Sequence, residues 1–221
     1  MFCSGKPRIP ALICATLLLA SCAAARSPLV EWKERLFGTP DPPPVDAPAS
    51  GVILLSPGRP ERLLIDGAAP KREFPQGTSR FRVIELPRTF AHATLQVRVL
   101  ARARSRGRGN SVFRPVVYVL DDAEKVKDTV EVKPLHLDIR PFQRTRLLAC
   151  VKLDDVRRFA IATTPKMVGK SYETEVRDSL KAPTRGGFYY RTDAVKVKLP
   201  YAATGELVLE ITEQSRAGKG C

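Results

Sequence analysis

Few side chains in this chain are of the kinds that carry out reactions. His92 and His136 are its two histidines. Asp121-Asp122 and Asp154-Asp155 are pairs of adjacent acids, the residue type that a glycosidase uses as proton donor and as nucleophile or base. Neither set carries a reaction signature. His92 precedes a strand-like run, and His136 alternates with Leu135 and Leu137, as a structural histidine does. Adjacent acids at the end of an apolar run make turns, because short carboxylates bond to nearby backbone. No nucleophile elbow, HExxH or CxxC is present. No cluster supplies the three or four ligands that zinc requires. The residue types therefore predict no enzyme, no cofactor and no metal site.

Binding chemistry is better represented. Arg98, Arg102, Arg104, Arg106 and Arg108 recur at even spacing, which reads as an anion-binding ribbon or as an edge strand charged against aggregation. Phe188, Tyr189 and Tyr190 follow Gly186-Gly187. They are candidates to stack on pyranose rings, or alternate members of the run plug the core. Cys150 and Cys221 could pair, closing a loop of about 70 residues that is worth about 4 kcal/mol in the chain-entropy model. In the opposing reading Cys150, within RLLACVKL, is a small buried hydrophobe.

The compartment follows from the N-terminus. Lys6 and Arg8 precede the apolar stretch Ile9–Ala20, which is too short to span a bilayer. Leu19-Ala20-Ser21-Cys22 resembles the lipobox of bacterial lipoprotein signals, with Cys22 as the lipid-accepting thiol. That resemblance implies residues 1–21 are a signal peptide and the mature chain is membrane-anchored. Ala23, rather than an aspartate, implies the outer membrane, facing the periplasm. The formal charge is +14 and falls to +12 without Lys6 and Arg8. Such a charge suits nucleic acid, but export excludes it and leaves anionic envelope polymers as partners.

The remaining elements must position these groups. Ser27-Pro28-Leu29 opens a short helix, by its capping hydroxyl and N1 proline, and Asp41–Ser50 is a proline-rich tether within a linker spanning 22–50. A domain over 51–213 follows, with a loose tail at 214–221. Val116–Leu120 is an unbroken apolar run, the mark of a strand buried on both faces, entered at Pro115 and left at Asp121-Asp122. Ser79–Leu86, broken by Pro87, and Thr94–Arg104 alternate as half-buried strands. Arg144–Leu153 and Arg158–Thr163 are strands joined at Asp154-Asp155. Tyr172, Val176 and Leu180 share one side of a helix near Ser171–Lys181. Val195–Leu199 and Leu207–Ile211 form a final hairpin. Short strands spaced by turns, with one helical insertion, predict an all-β, jelly-roll-like antiparallel β-sandwich.

Laid out in this order, the chain resembles the maltose operon periplasmic protein family. The resemblance runs from FRVIELPRTFAHATLQVRVL at Phe81 through SVFRPVVYVLDD, RLLACVKL and FAIATT to TDAVKVKL, over Phe81–Leu209. It implies an exported protein with no established enzymatic activity, encoded with maltose and maltodextrin uptake genes and expected to support carbohydrate transport. Two function classes follow. One is a lipoprotein that binds a maltodextrin-like glycan. The other is an envelope structural or interaction protein whose basic face meets an anionic polymer or a protein partner.

Overall fold

The apolar run Val116–Leu120 is buried along its whole length, as its composition predicts. The computed structural model describes residues 41–43, 51–103, 109–139, 143–184 and 187–214, and for 176–195 the backbone alone. The chain divides after Pro40 into two units, and the described residues belong to the second.

Strands account for nearly all of it. In order they are β1 (Val52–Leu54), β2 (Glu61–Ile65), β3 (Lys71–Phe74), β4 (Gly77–Leu100), β5 (Arg102–Ala103), β6 (Asn110–Phe113), β7 (Val116–Leu120), β8 (Val126–Glu131), β9 (His136–Asp138), β10 (Arg146–Ala162), β11 (Ser171–Thr184), β12 (Gly187–Ala202) and β13 (Gly205–Glu213). One short 3-10 turn, Pro165–Met167, separates β10 from β11.

β4 and β10 are the frame. They run antiparallel from Phe81 opposite Ala162 to Leu100 opposite Arg146, with a register shift between Val156 and Arg158. That shift divides the sheet into two halves that share both strands. Beside the first half, β1 and β3 pair with β4, while β7 and then β8 extend beyond β10. Beside the second, β13 and then β2 lie outside β4, and β9 lies outside β10. One apolar core takes the inner residues of both halves: Ile84, Val117 and Phe159 from the first, Leu95, Val97, Leu147 and Leu209 from the second. The result is an all-β sandwich closed by two long strands that serve both layers.

The outer face of the first half carries a smaller apolar cluster of Phe74, Val116, Tyr118, Leu120, Ala160 and Ala162. Phe74 stacks on Tyr118 with ring centroids 4.3 Å apart and meets Phe81 edge-on at 5.5 Å. A separate sheet runs β11-β12-β6-β5. Its first two strands make a ribbon, paired from Ser171 opposite Pro200 to Thr184 opposite Gly187. The ribbon's root runs parallel to β6 through Tyr201 and Ala202.

Four expectations are corrected. Residues 171–181 are strand, not helix. A spacing of four satisfies a period of two as well as one turn of helix, and the partner β12, with Leu199 opposite Tyr172, selects the strand. Pro87 does not end its strand, because its missing N–H falls where the β4–β10 ladder is already interrupted. Asp154-Asp155 is not a turn but lies within continuous β10 beside that register shift. Asp155 has φ 46°, a left-handed conformation that aspartate tolerates. Finally, β12 and β13 do not form a hairpin: β12 pairs with β11 and β6, and β13 with β4 and β2. Gly205 permits this parting, since a Cβ there would lie 2.2 Å from Cβ of Phe113. The helix expected at Ser27 lies outside the described residues.

Candidate functional site

Prolines place the residues of one cleft among the described residues. Pro115 interrupts the chain between β6 and β7, so Arg114 sits on a break in the ladder rather than within a strand. Pro165 starts the 3-10 turn, which bonds Met167 N–H to Thr164 O at 3.0 Å and Val168 N–H to Pro165 O at 3.2 Å. This turn carries Lys166, Met167 and Lys170. Backbone bonds from Gly169 N–H to Tyr201 O (2.9 Å) and from Tyr201 N–H to Lys170 O (2.7 Å) fix it to the ribbon's root. Ser79 Oγ donates to Thr163 O on the other side. The third wall is the β3–β4 turn, where Gly77 has φ 112° and a Cβ would lie 3.1 Å from Pro165.

These walls enclose about 380 Å³, lined by Pro75, Gln76, Arg114, Val116, Glu131, Thr164, Lys166, Met167 and Lys170. The Arg114 guanidinium lies 5.4 Å from the centre of the buried Tyr201 ring and donates weakly to its hydroxyl at 3.5 Å. That contact orients the group and leaves most of its five donors for a ligand. Neither Lys166 nor Lys170 has an ion-pair partner among the described residues. Glu131 is the one acid of the lining, and it is engaged by Lys133 at 3.0 Å. The Lys133 hydrogen bond and charge hold its carboxyl below the usual range. Three basic residues thus line a space whose one acid is already paired. Gln76 and Thr164 add neutral hydrogen-bonding groups, and Met167, Val116 and Pro75 add an apolar strip. The arrangement can hold an anionic group by charge-assisted hydrogen bonds and pack a ring or chain beside it.

The residues singled out from sequence fare differently. Arg98 faces outward as its alternation predicts, but it is paired with Asp41 and Glu210 at 3.6 and 3.8 Å. Arg102 is exposed on β5. Arg104, Arg106 and Arg108 lie outside the described residues, as do Cys22 and Cys221. The backbones of Phe188, Tyr189 and Tyr190 are in β12, opposite Pro183, Ala182 and Lys181, while their side chains lie outside the description. Cys150 is disulfide-bonded. His92 Nδ1 meets Asp154 Oδ1 at 2.7 Å on the surface, and His136 is exposed on β9. Among the described residues no His/Cys/Asp/Glu group could hold a metal ion, and no helix is long and apolar enough to cross a membrane. Arg114, Lys166 and Lys170 were not singled out from sequence. For Arg114 and Lys166 the signal was a basic residue beside a strand-breaking proline, which places a cation on a turn; Lys170 has no such neighbour.

No family model, curated protein or solved structure matches this chain.

Proposed function

We propose that this chain is an exported, lipid-anchored, non-catalytic envelope protein whose cleft holds a segment of an anionic envelope polymer. One observation carries the reading: Arg114, Lys166 and Lys170 line a space of about 380 Å³ whose single acid, Glu131, is paired with Lys133. The volume lies within the range of small-molecule sites, so the cleft would take a short stretch of such a polymer. The lipobox resemblance at Cys22 supplies the location, and an outer-membrane protein facing the periplasm meets acidic glycans and phosphorylated lipids. A maltodextrin-like neutral glycan is the second reading, favoured by the resemblance over Phe81–Leu209.

Calorimetry with two probes separates them. Oligogalacturonate should bind, bind less tightly at high salt, and bind at least about tenfold more weakly to an Arg114→Gln, Lys170→Gln variant, since each charged hydrogen bond is worth about 1.5–3 kcal/mol. Heat with maltoheptaose alone would replace this reading with the second. Oligogalacturonate binding that survives unchanged in the variant would remove the cleft from the account.

A further inference from the structure

The outer face of the second half-sheet sets charged residues among apolar ones. Register sets Arg146 on β10, Leu100 on β4, Glu206 on β13 and Leu64 on β2 in one row. The next row is Leu148, Arg98, Val208 and Arg62. Leu100 and Val208 are fully buried yet belong to neither apolar cluster. Ion pairs form the layer around them. Glu206 accepts from Arg62 and from both terminal nitrogens of Arg144, at 2.9 and 3.1 Å from the latter. Arg146 Nε donates to Asp138 at 2.6 Å.

Asp41 and Pro42 lie against this layer. Arg62 donates to the Pro42 carbonyl at 3.2 Å. Asp41 Oδ1 sits between Arg98 and Arg146, 3.6 and 3.7 Å from their nearest nitrogens. That oxygen is buried and has no hydrogen-bond partner. Asp41 Oδ1 is thus held by charge without hydrogen bonds, whereas Glu206 is hydrogen-bonded by two arginines. Every arginine that touches the segment also has an acid on the domain itself: Arg62 has Glu206, Arg146 has Asp138, and Arg98 has Glu210. If the segment left, no buried cation would be stranded, so the penalty that usually follows from breaking a buried pair is absent. Consecutive prolines also pre-order the segment, which lowers the entropy lost on docking.

We propose that this face is a docking site for an extended, acidic, proline-containing segment, and that Asp41–Pro43 fills it as a reversible latch. The test follows the side-chain Nε–H resonances of Arg62, Arg98 and Arg146 in the full chain by ¹⁵N NMR, assigned with Arg→Lys variants. Asp41→Lys, or the milder Asp41→Asn if folding suffers, should move all three and leave Arg59 and Arg88 unmoved. A free peptide with the sequence Thr39–Val45 should return them towards their original positions at several millimolar, the effective concentration of a segment on a short linker. The same peptide with asparagine for aspartate should not. Resonances that stay in place in both variants would overturn the docking. Resonances that move but ignore the peptide would overturn the site and leave a fixed packing contact.

Discussion

Phe74 and Asp41 sit over neighbouring stretches of the same two strands, and they contact them by opposite means. Over the first half of β4 and β10, Phe74 folds back from β3 onto Tyr118 and Phe81. Burial there raises the Tyr118 hydroxyl above its ordinary pKa. Over the second half, arginines and acids take the place of the aromatics, and the Asp41 segment rests on them. An apolar cover is held by area removed from water and is indifferent to salt and mild acid. A charged cover responds to both. One sheet therefore has a permanent lid on one stretch and a conditional one on the next.

Phe74→Ala should break the comparison most severely. Removing a buried aromatic costs about 3–4 kcal/mol, read as a lower urea midpoint that high salt does not restore. Glu206→Gln comes next, at about 2 kcal/mol, because it leaves Arg62 and Arg144 facing a weaker acceptor while both retain some contact with water. Its effect depends on pH. Burial alone would raise the Glu206 carboxyl, but hydrogen bonds from Arg144 and Arg62 outweigh burial and hold it below the usual range. A carboxyl with a depressed folded pKa stabilises the fold above its unfolded pKa, about 4.3, and loses that contribution as pH falls through the folded value. The gap between wild type and variant should therefore be full at pH 7 and close in acid below about pH 4. The Phe74→Ala gap should persist there. Asp41→Asn should be the smallest, under about 1 kcal/mol at low salt and smaller still at 1 M salt. A large, salt-independent loss for Asp41→Asn would erase the distinction between the two lids.

Local chemistry made much of the fold legible. Five apolar residues between Pro115 and Asp121 declared a strand buried on both faces, and Leu95, Val97 and Val99 declared an inner face by alternation. Asp121 behaves as a short turn acid should, accepting from Lys125 N–H at 2.7 Å. These signals lie within a few residues of one another, so one window of sequence contains them. The errors came where a local signal had two solutions. A spacing of four fits either a helix or a strand, and only the β12 partner chose for residues 171–181.

By itself, then, the sequence determined many of the residues that lie inside strands, where many of the turns fall, and that the chain is all-β. Tertiary structure decided who meets whom. The outward direction of Arg98 follows from its own strand, but Asp41 and Glu210 reach it from segments far away in the chain. The cleft likewise gathers Gln76, Arg114, Glu131 and Lys170 from four separate places. Alternation and turn chemistry act over a few covalent bonds and are written locally. Charge pairing and clefts depend on distances in space, which exist only once the two long strands have brought their neighbours together.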